Sequence, residues 1–224
     1  MLYENSLVSD LFAAVVCCGV IFAFLLLWQV TAKCGVDQKL NRKLVHISIG
    51  LVFMLCWPLF SAGYRGAILA AITPDEATVK SMSRYGNYRE LLKGPLYYAI
   101  TVTLACVVYW RTSPIGIAAL CNLCAGDGLA DVVGRRLGRK KVPYNRNKSI
   151  AGSVAMATAG FLSSVGYMYY FSYFGYIQDG WGMILRFLVV SLASALVESL
   201  PISTELDDNL TVSLTSIFIG SLIF

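Results

Sequence analysis

The uncharged run over residues 11–30 constrains this chain more than any other feature. A helix of that length is about 30 Å long, the thickness of a hydrocarbon core. In lipid each backbone N–H and C=O must be satisfied by the protein itself, so only helices and closed barrels cross. Barrel strands alternate apolar and polar residues with a period of two, and that alternation is absent. Further apolar stretches follow at 44–72, interrupted by Pro58, Gly63 and Arg65, and at 95–110, 114–125, 150–177, 183–200 and 210–224. The second is too long for one helix and short for two, which predicts a full span to about Phe60 and then a stub. Composition agrees, since 57% of the residues are hydrophobic and only 14% charged, against about 25% charged in ordinary soluble domains. The fold expected is an all-α, polytopic transmembrane helical bundle of about six apolar segments with a polar catalytic loop, one integral-membrane domain over 1–224.

That loop is the stretch CAGDGLADVVGRRLGRKKVPYNRNKSIAGS, residues 124–153, which packs acids, glycines and seven basic residues between two apolar runs. If Asp127 opens a helix, then Asp127, Ala130, Asp131, Gly134 and Gly138 fall within one arc of it. Carboxylates at i and i+4 can share a hard cation such as Mg²⁺, and bare glycines let a neighbouring helix or a nucleotide approach the backbone. Arg135, Arg136, Arg139, Lys140, Lys141, Arg146 and Lys148 supply the positive charge a triphosphate needs. The competing reading is a small-residue packing face followed by topological charge. A packing face gains nothing from two acids, however, and acids this near a bilayer are costly unless paired or liganding.

Two other polar groups interrupt the apolar background. Arg42, Lys43 and His46, the chain's only histidine, enter the second span as RKLVH. They either snorkel to the headgroups or touch phosphates, with His46 bonding an acid or a phosphate oxygen. Near the other end Glu198 shares a helical face with Ser191 and Ser194, and an acid inside a span faces a partner or a cavity. Asp207, Asp208 and Asn209 follow it, and are read either as a turn or helix cap or as the completion of a metal site. Seven scattered cysteines form no disulfide framework, and Cys121 and Cys124 make a lone CxxC that is read as packing. The net charge of +5 fits basic juxtamembrane loops facing anionic lipid or phosphates. No compact basic domain exists to bind nucleic acid. The first residues lack the Arg and Ser enrichment of a transit peptide, so the first span is expected to be retained.

These residues together carry a resemblance. Asp127, Ala130, Gly134 and Gly138 are similar to the DxxAxxxGxxxG element of the prenol kinases, a family that includes dolichol kinases and plant plastid phytol and farnesol kinases. Lys148, Ser149 and Gly152 stand where that family has KK(T/S)xxG, and Arg42, Lys43 and His46 resemble its RKxxH. Glu198, Pro201 and DDNL at 207–210 resemble its C-terminal signature, and KLVHISIGLVFMLCWPLF, ELLKGPLYY and CNLCAGDG resemble the plastid members.

The resemblance implies phosphoryl transfer from CTP, or another nucleoside triphosphate, to an isoprenoid alcohol, phytol or farnesol, for tocopherol synthesis or isoprenoid salvage. The setting implied is a chloroplast membrane. Transfer of this kind relies on positioning and on electrostatic stabilisation. Asp127 and Asp131 are therefore expected at Mg²⁺, with Asp208 and Glu198 as further metal contacts. Lys148 with Arg135 or Arg136 is expected at the phosphates, helped by Asn147, Ser149, Arg42, Lys43 and His46. Asp207 or Asp208 serves as second metal contact or as base at the alcohol. Gly134, Gly138 and Gly152 would admit the nucleotide, and the prenyl tail would enter sideways from membrane lipid. No GxxxxGK[ST] occurs, which excludes an ordinary P-loop.

Beside that resemblance the chain is read as lacking the family's transit peptide and as having a shortened apolar segment between Phe60 and Pro74, expected to be re-entrant or interfacial. The alternatives are a CDP-lipid synthase, which would release pyrophosphate, and a membrane transporter or scaffold in which Glu198 lines a pathway.

Overall fold

The computed structural model describes residues 6–61, 68, 94–201 and 207–224, and nearly all of that backbone is helical. A bilayer demands this, because helices satisfy their own polar groups. Among the described residues five helices are long and apolar enough to cross: Leu7–Lys33, Gln38–Leu59, Pro114–Leu137, Ile150–Tyr173 and Trp181–Ser199. Leu96–Tyr109 and Asp208–Ile223 are shorter apolar helices. The chain divides into two units, Met1–Arg111 and Thr112–Phe224.

The first unit begins with α1, Ser6–Lys33, and α2, Gln38–Cys56. The turn between them passes through Gly35 at φ +90°, where any side chain would be strained. Asp37 then caps α2 by accepting from the Leu40 N–H at 3.1 Å. The two helices are pinned by Trp28 Nε1 donating to Ser48 Oγ at 2.8 Å and Thr31 Oγ1 to Asn41 Oδ1 at 3.0 Å. Pro58 lies in a tight turn, Trp57–Leu59, that ends the span where expected. Asp10 accepts from the Ser61 N–H at 2.6 Å and hydroxyl at 2.7 Å, and Arg111 donates to the carbonyls of Trp57 and Phe60 at 3.0 and 2.6 Å. The ring of Trp110 packs against Trp57 and Phe60 beside these bonds. A helix α3, Gly94–Leu104, continues into a π-helical turn, Ala105–Tyr109. The stub at 66–72 and most of the re-entrant piece and the polar stretch at 73–94 lie outside the described residues.

In the second unit the sequence expectation needs correction. Asp127 does not open a helix. Residues Pro114–Cys121 (α4), a π-helical segment Asn122–Asp127 and Gly128–Leu137 (α5) form one uninterrupted helical run. No proline or charge breaks it before Asp127, and Gly126 lies against Met156, where a Cβ would meet side chain and backbone at 3.4 Å. The polar loop is likewise partly ordered. It folds as an antiparallel hairpin of β1, Lys141–Val142, and β2, Asn145–Ser149, with Lys141 opposite Ser149 and Val142 opposite Asn145.

Three helices complete the unit: α6 (Ile150–Tyr173), α7 (Trp181–Ser199) and α8 (Asp208–Ile223). Helix α6 stops short of Ile177 because Gly175 turns left-handed at φ +72° and Tyr176 N–H closes on Phe171 O at 3.0 Å. Ala130, Met156, Ala195 and Val212, one from each of α5 to α8, form a buried cluster. Ala130, Ala195 and Val212 stand three or four residues from Asp127, Glu198 and Asp208 respectively, so this apolar layer is the floor beneath the polar end.

Candidate active site

The site is built by connectivity. The hairpin returns the chain at the end of α5, so α6 begins where α5 finishes. Lys148, the penultimate residue of β2, meets the last turn of α7 and the first of α8. Its Nζ donates to Glu198 Oε1 in an ion pair and to Asp208 Oδ2 at 2.9 Å. Residues fifty and sixty positions apart in the chain thus meet at one ammonium. Asp127 is buried and close enough to Glu198 for their charges to interact. Burial alone would lower the pKa of Lys148, but the carboxylates of Asp208 and Glu198 outweigh it and hold the ammonium above the ordinary lysine range.

The other expected residues separate into distinct places. Asp131 lies one turn beyond Asp127 and is ion-paired with Arg135, whose Nε donates to Asp131 Oδ1 at 2.8 Å. It is not among the groups that Lys148 gathers. Asp207 is the N-cap of α8, accepting from Asn209 N–H at 3.0 Å, whereas Asp208 faces Lys148. The choice between cap and site is therefore resolved one residue apart. Ser149 caps α6 by accepting from Gly152 N–H at 3.1 Å. Arg136, Arg139, Lys140, Lys141, Arg146 and Asn147 are exposed on α5 and the hairpin. Arg42, Lys43 and His46 belong to the first unit, where the His46 ring lies 4.5 Å from that of Tyr98 and its carbonyl accepts from Tyr98 Oη at 3.1 Å. Cys121 and Cys124 are buried.

The glycines serve close packing. A Cβ on Gly138 would lie 2.0 Å from Gly134 O and 2.6 Å from Ser149 Oγ, and one on Gly152 would lie 3.0 Å from Ala130 O. Bare backbone at these places lets the β2–α6 corner sit directly on α5. The glycines of the acidic arc are thus spent on an intramolecular contact.

Oxygen donors of this kind suit a hard cation, and two carboxylates, Glu198 and Asp208, meet the Lys148 ammonium, with Asp127 near Glu198. Among the described residues no group of three or more His, Cys, Asp or Glu side chains is arranged to hold a metal unaided. Mg²⁺ seldom uses an all-protein cage, since it is bound through one or two carboxylates with substrate phosphates and water. The donor set fits that mode.

Sequence reasoning missed two groups. Asn145 is buried, and its Nδ2 donates to the carbonyls of Ser199 and Leu200 at 3.0 and 3.2 Å. Asn122 is fully buried in the π-helical segment, donating to Ala118 O at 2.9 Å. A Cβ on Gly160 would strike its Oδ1 at 2.0 Å. The signal for the first is the V-P-Y-N turn, with proline at the second position; for the second, an amide in an otherwise apolar run.

The chain is 63% identical to "Probable phytol kinase 3, chloroplastic" of Glycine max over 240 aligned positions, covering 100% of the chain and 75% of that protein. The alignment is longer than the 224 residues of the chain, so that relative carries residues with no counterpart here. It is 61% identical to "Farnesol kinase, chloroplastic" of Arabidopsis thaliana, covering 100% of the chain and 78% of the relative. Against "Phytol kinase 1, chloroplastic" of the same plant the identity is 41%, over 98% of the chain and 78% of the relative. No family model and no solved structure matches the chain.

Proposed function

Because the chain belongs to the plant phytol and farnesol kinase family, we propose that it phosphorylates an isoprenoid alcohol, farnesol or phytol, at a chloroplast membrane. Relatives of both names support the class of alcohol, at 63% identity to the probable phytol kinase 3 and 61% to the farnesol kinase. The phosphoryl donor in this reading is CTP. The gathering of Asp127, Lys148, Glu198 and Asp208 at one end of the second unit supports a phosphate-handling site there.

In this mechanism Lys148 exchanges one carboxylate partner for a phosphate oxygen, and its ammonium follows the charge that spreads over the transferring group. One or two of Asp127, Glu198 and Asp208 would hold Mg²⁺ together with the phosphates, and the ion when bound supplies neutralisation of phosphate charge. Asp208, the more exposed of the two carboxylates on Lys148, would accept the alcohol proton. Arg136, exposed on the last turn of α5, adds long-range attraction for the nucleotide. Exposed apolar side chains along α6 and α7, among them Leu162, Leu185 and Leu192, offer lipid-like surface by which a prenyl tail reaches the site from the bilayer.

The test is transfer of label from γ-labelled CTP to farnesol and to phytol by membranes containing the chain. Labelled monophosphate formed from at least one of the two alcohols is the expected result. No labelled monophosphate from either alcohol would overturn the reading, and a CDP-lipid product with release of pyrophosphate would replace it by cytidylyl transfer.

A further inference from the structure

We infer that Asn145 is a positioning residue that holds Lys148 in register with Glu198, an inference that rests on the phosphate role given to Lys148 above. Strand β2 is attached at both ends. At its far end Ser149 caps α6 and lies against the bare backbone of Gly134 and Gly138. At its near end Asn145 donates both amide hydrogens across to α7, at 3.0 Å to Ser199 O and 3.2 Å to Leu200 O. Its Oδ1 accepts from Asn147 N–H at 3.1 Å, which orders the strand between the two anchors. Lys148 stands between these attachments, about 10 Å along the strand from Asn145.

The points of attachment explain the consequence. Ser199 and Leu200 immediately follow Glu198, so Asn145 grips the two residues beside the carboxylate that Lys148 meets. A slip of the hairpin along α7 would break the amide bonds and the ion pair together. The carbonyls it covers are among those a helix C-terminus leaves without intrahelical partners. Only an amide offers two donors and an acceptor on so short a stem. The pattern of two facing carbonyls and one facing N–H also fixes which side-chain atom is nitrogen. Tyr144 reinforces the same contact. Ser199 Oγ donates to Leu196 O at 2.6 Å, so the Tyr144 hydroxyl is the donor in its 2.7 Å bond to Ser199 Oγ.

A helix cap with no bearing on Lys148 would use the same bonds, and the experiment separates the two. Equilibrium binding of labelled CTP is measured on the full-length chain in nanodiscs for wild type, N145D, K148A and the double variant, with the Michaelis constant for farnesol recorded alongside. Aspartate keeps the shape and the acceptor but loses both donors. N145D is expected to raise the dissociation constant for CTP about tenfold, through two unsatisfied carbonyls and a displaced ammonium, while the farnesol constant stays unchanged. In the K148A background N145D should add nothing, since two residues acting through one contact are not additive. A full additional rise in that background would overturn the proposal, as would a loss of binding sites with unchanged affinity, which is the mark of a merely structural cap. If K148A leaves CTP affinity untouched, the phosphate reading of Lys148 fails and this inference falls with it. If K148A weakens CTP and N145D does not, only the role of Asn145 falls. Should N145D not reach the membrane, Y144F loosens the same attachment with the amide in place. It should weaken CTP binding about threefold, and unchanged affinity would overturn the inference equally.

Discussion

Both units bury charge, and they use it differently. In the first, Asp10 and Arg111 are almost wholly inaccessible and are bonded to the end of one span: Asp10 to the Ser61 N–H and hydroxyl, Arg111 to the carbonyls of Trp57 and Phe60. In the second, Lys148 meets carboxylates from two other elements, with a third near Glu198. Charge bonded mainly to a helix end fixes architecture. Charge met by side chains from several elements depends on how those elements pack, and a membrane makes a failure to pair costly. The contrast is the reason for placing the proposed function in the second unit.

The largest expected effect tests that contrast directly. Asp127→Asn preserves volume and removes the buried charge near Glu198, and should lower turnover roughly 10²- to 10³-fold while the protein still inserts into membranes. Rate assays on equal amounts of inserted protein check it, and near-normal turnover would remove Asp127 from the site. Lys148→Ala should follow, raising the Michaelis constant for the nucleotide more than that for the alcohol. A change confined to the alcohol constant would assign Lys148 to the other substrate.

Neighbouring acids sharpen the comparison within a single turn. Asp208→Asn removes a partner of Lys148 and should cost about tenfold or more in kcat/KM. Asp207→Asn should leave both constants in place, because asparagine caps a helix as well as aspartate does. Equal losses would mean that the pair acts as one group. In the first unit, Arg111→Met should leave the nucleotide constant unchanged but lower thermal stability, since it strips donors from two buried carbonyls, at about 1–3 kcal/mol each. Melting curves in detergent, read beside kinetics, separate the two effects. A selective kinetic defect without loss of stability would erase the distinction drawn between the units.

The helical membrane class was legible because it follows from missing charge, a property of composition and local order. Lys148, Glu198 and the acidic arc were legible as chemistry out of place in an apolar chain. Their meeting was not, since residues fifty positions apart approach only after α5, the hairpin and α6 have packed. The π-helical segment was hidden as well, because its register depends on Asn122 lying against Gly160. The role of Asp207 was open for a similar reason: both readings fit the same four letters, and only its extended backbone at ψ 134° makes it the cap. Asn145 reads in the sequence as an ordinary turn residue, and its carbonyl partners belong to another helix.

The smallest effect concerns pH. Lys148 has its pKa raised in the folded protein above the ordinary value of 10.5, the nearby Asp208 and Glu198 outweighing the opposing effect of burial. A group raised in this way contributes stability that is fully present below its unfolded pKa and is lost as pH rises through the folded value. Between pH 7 and 9, therefore, Lys148 stays protonated, and neither nucleotide affinity nor thermal stability should show an inflection from it. Loss should begin only above about pH 10. The comparison with Asp208→Asn makes this decisive, because removing one carboxylate takes away part of the support for the ammonium and should move the alkaline limb of CTP binding to lower pH. An unshifted limb in that variant would mean that some other group titrates there and that Asp208 does not hold the lysine charge.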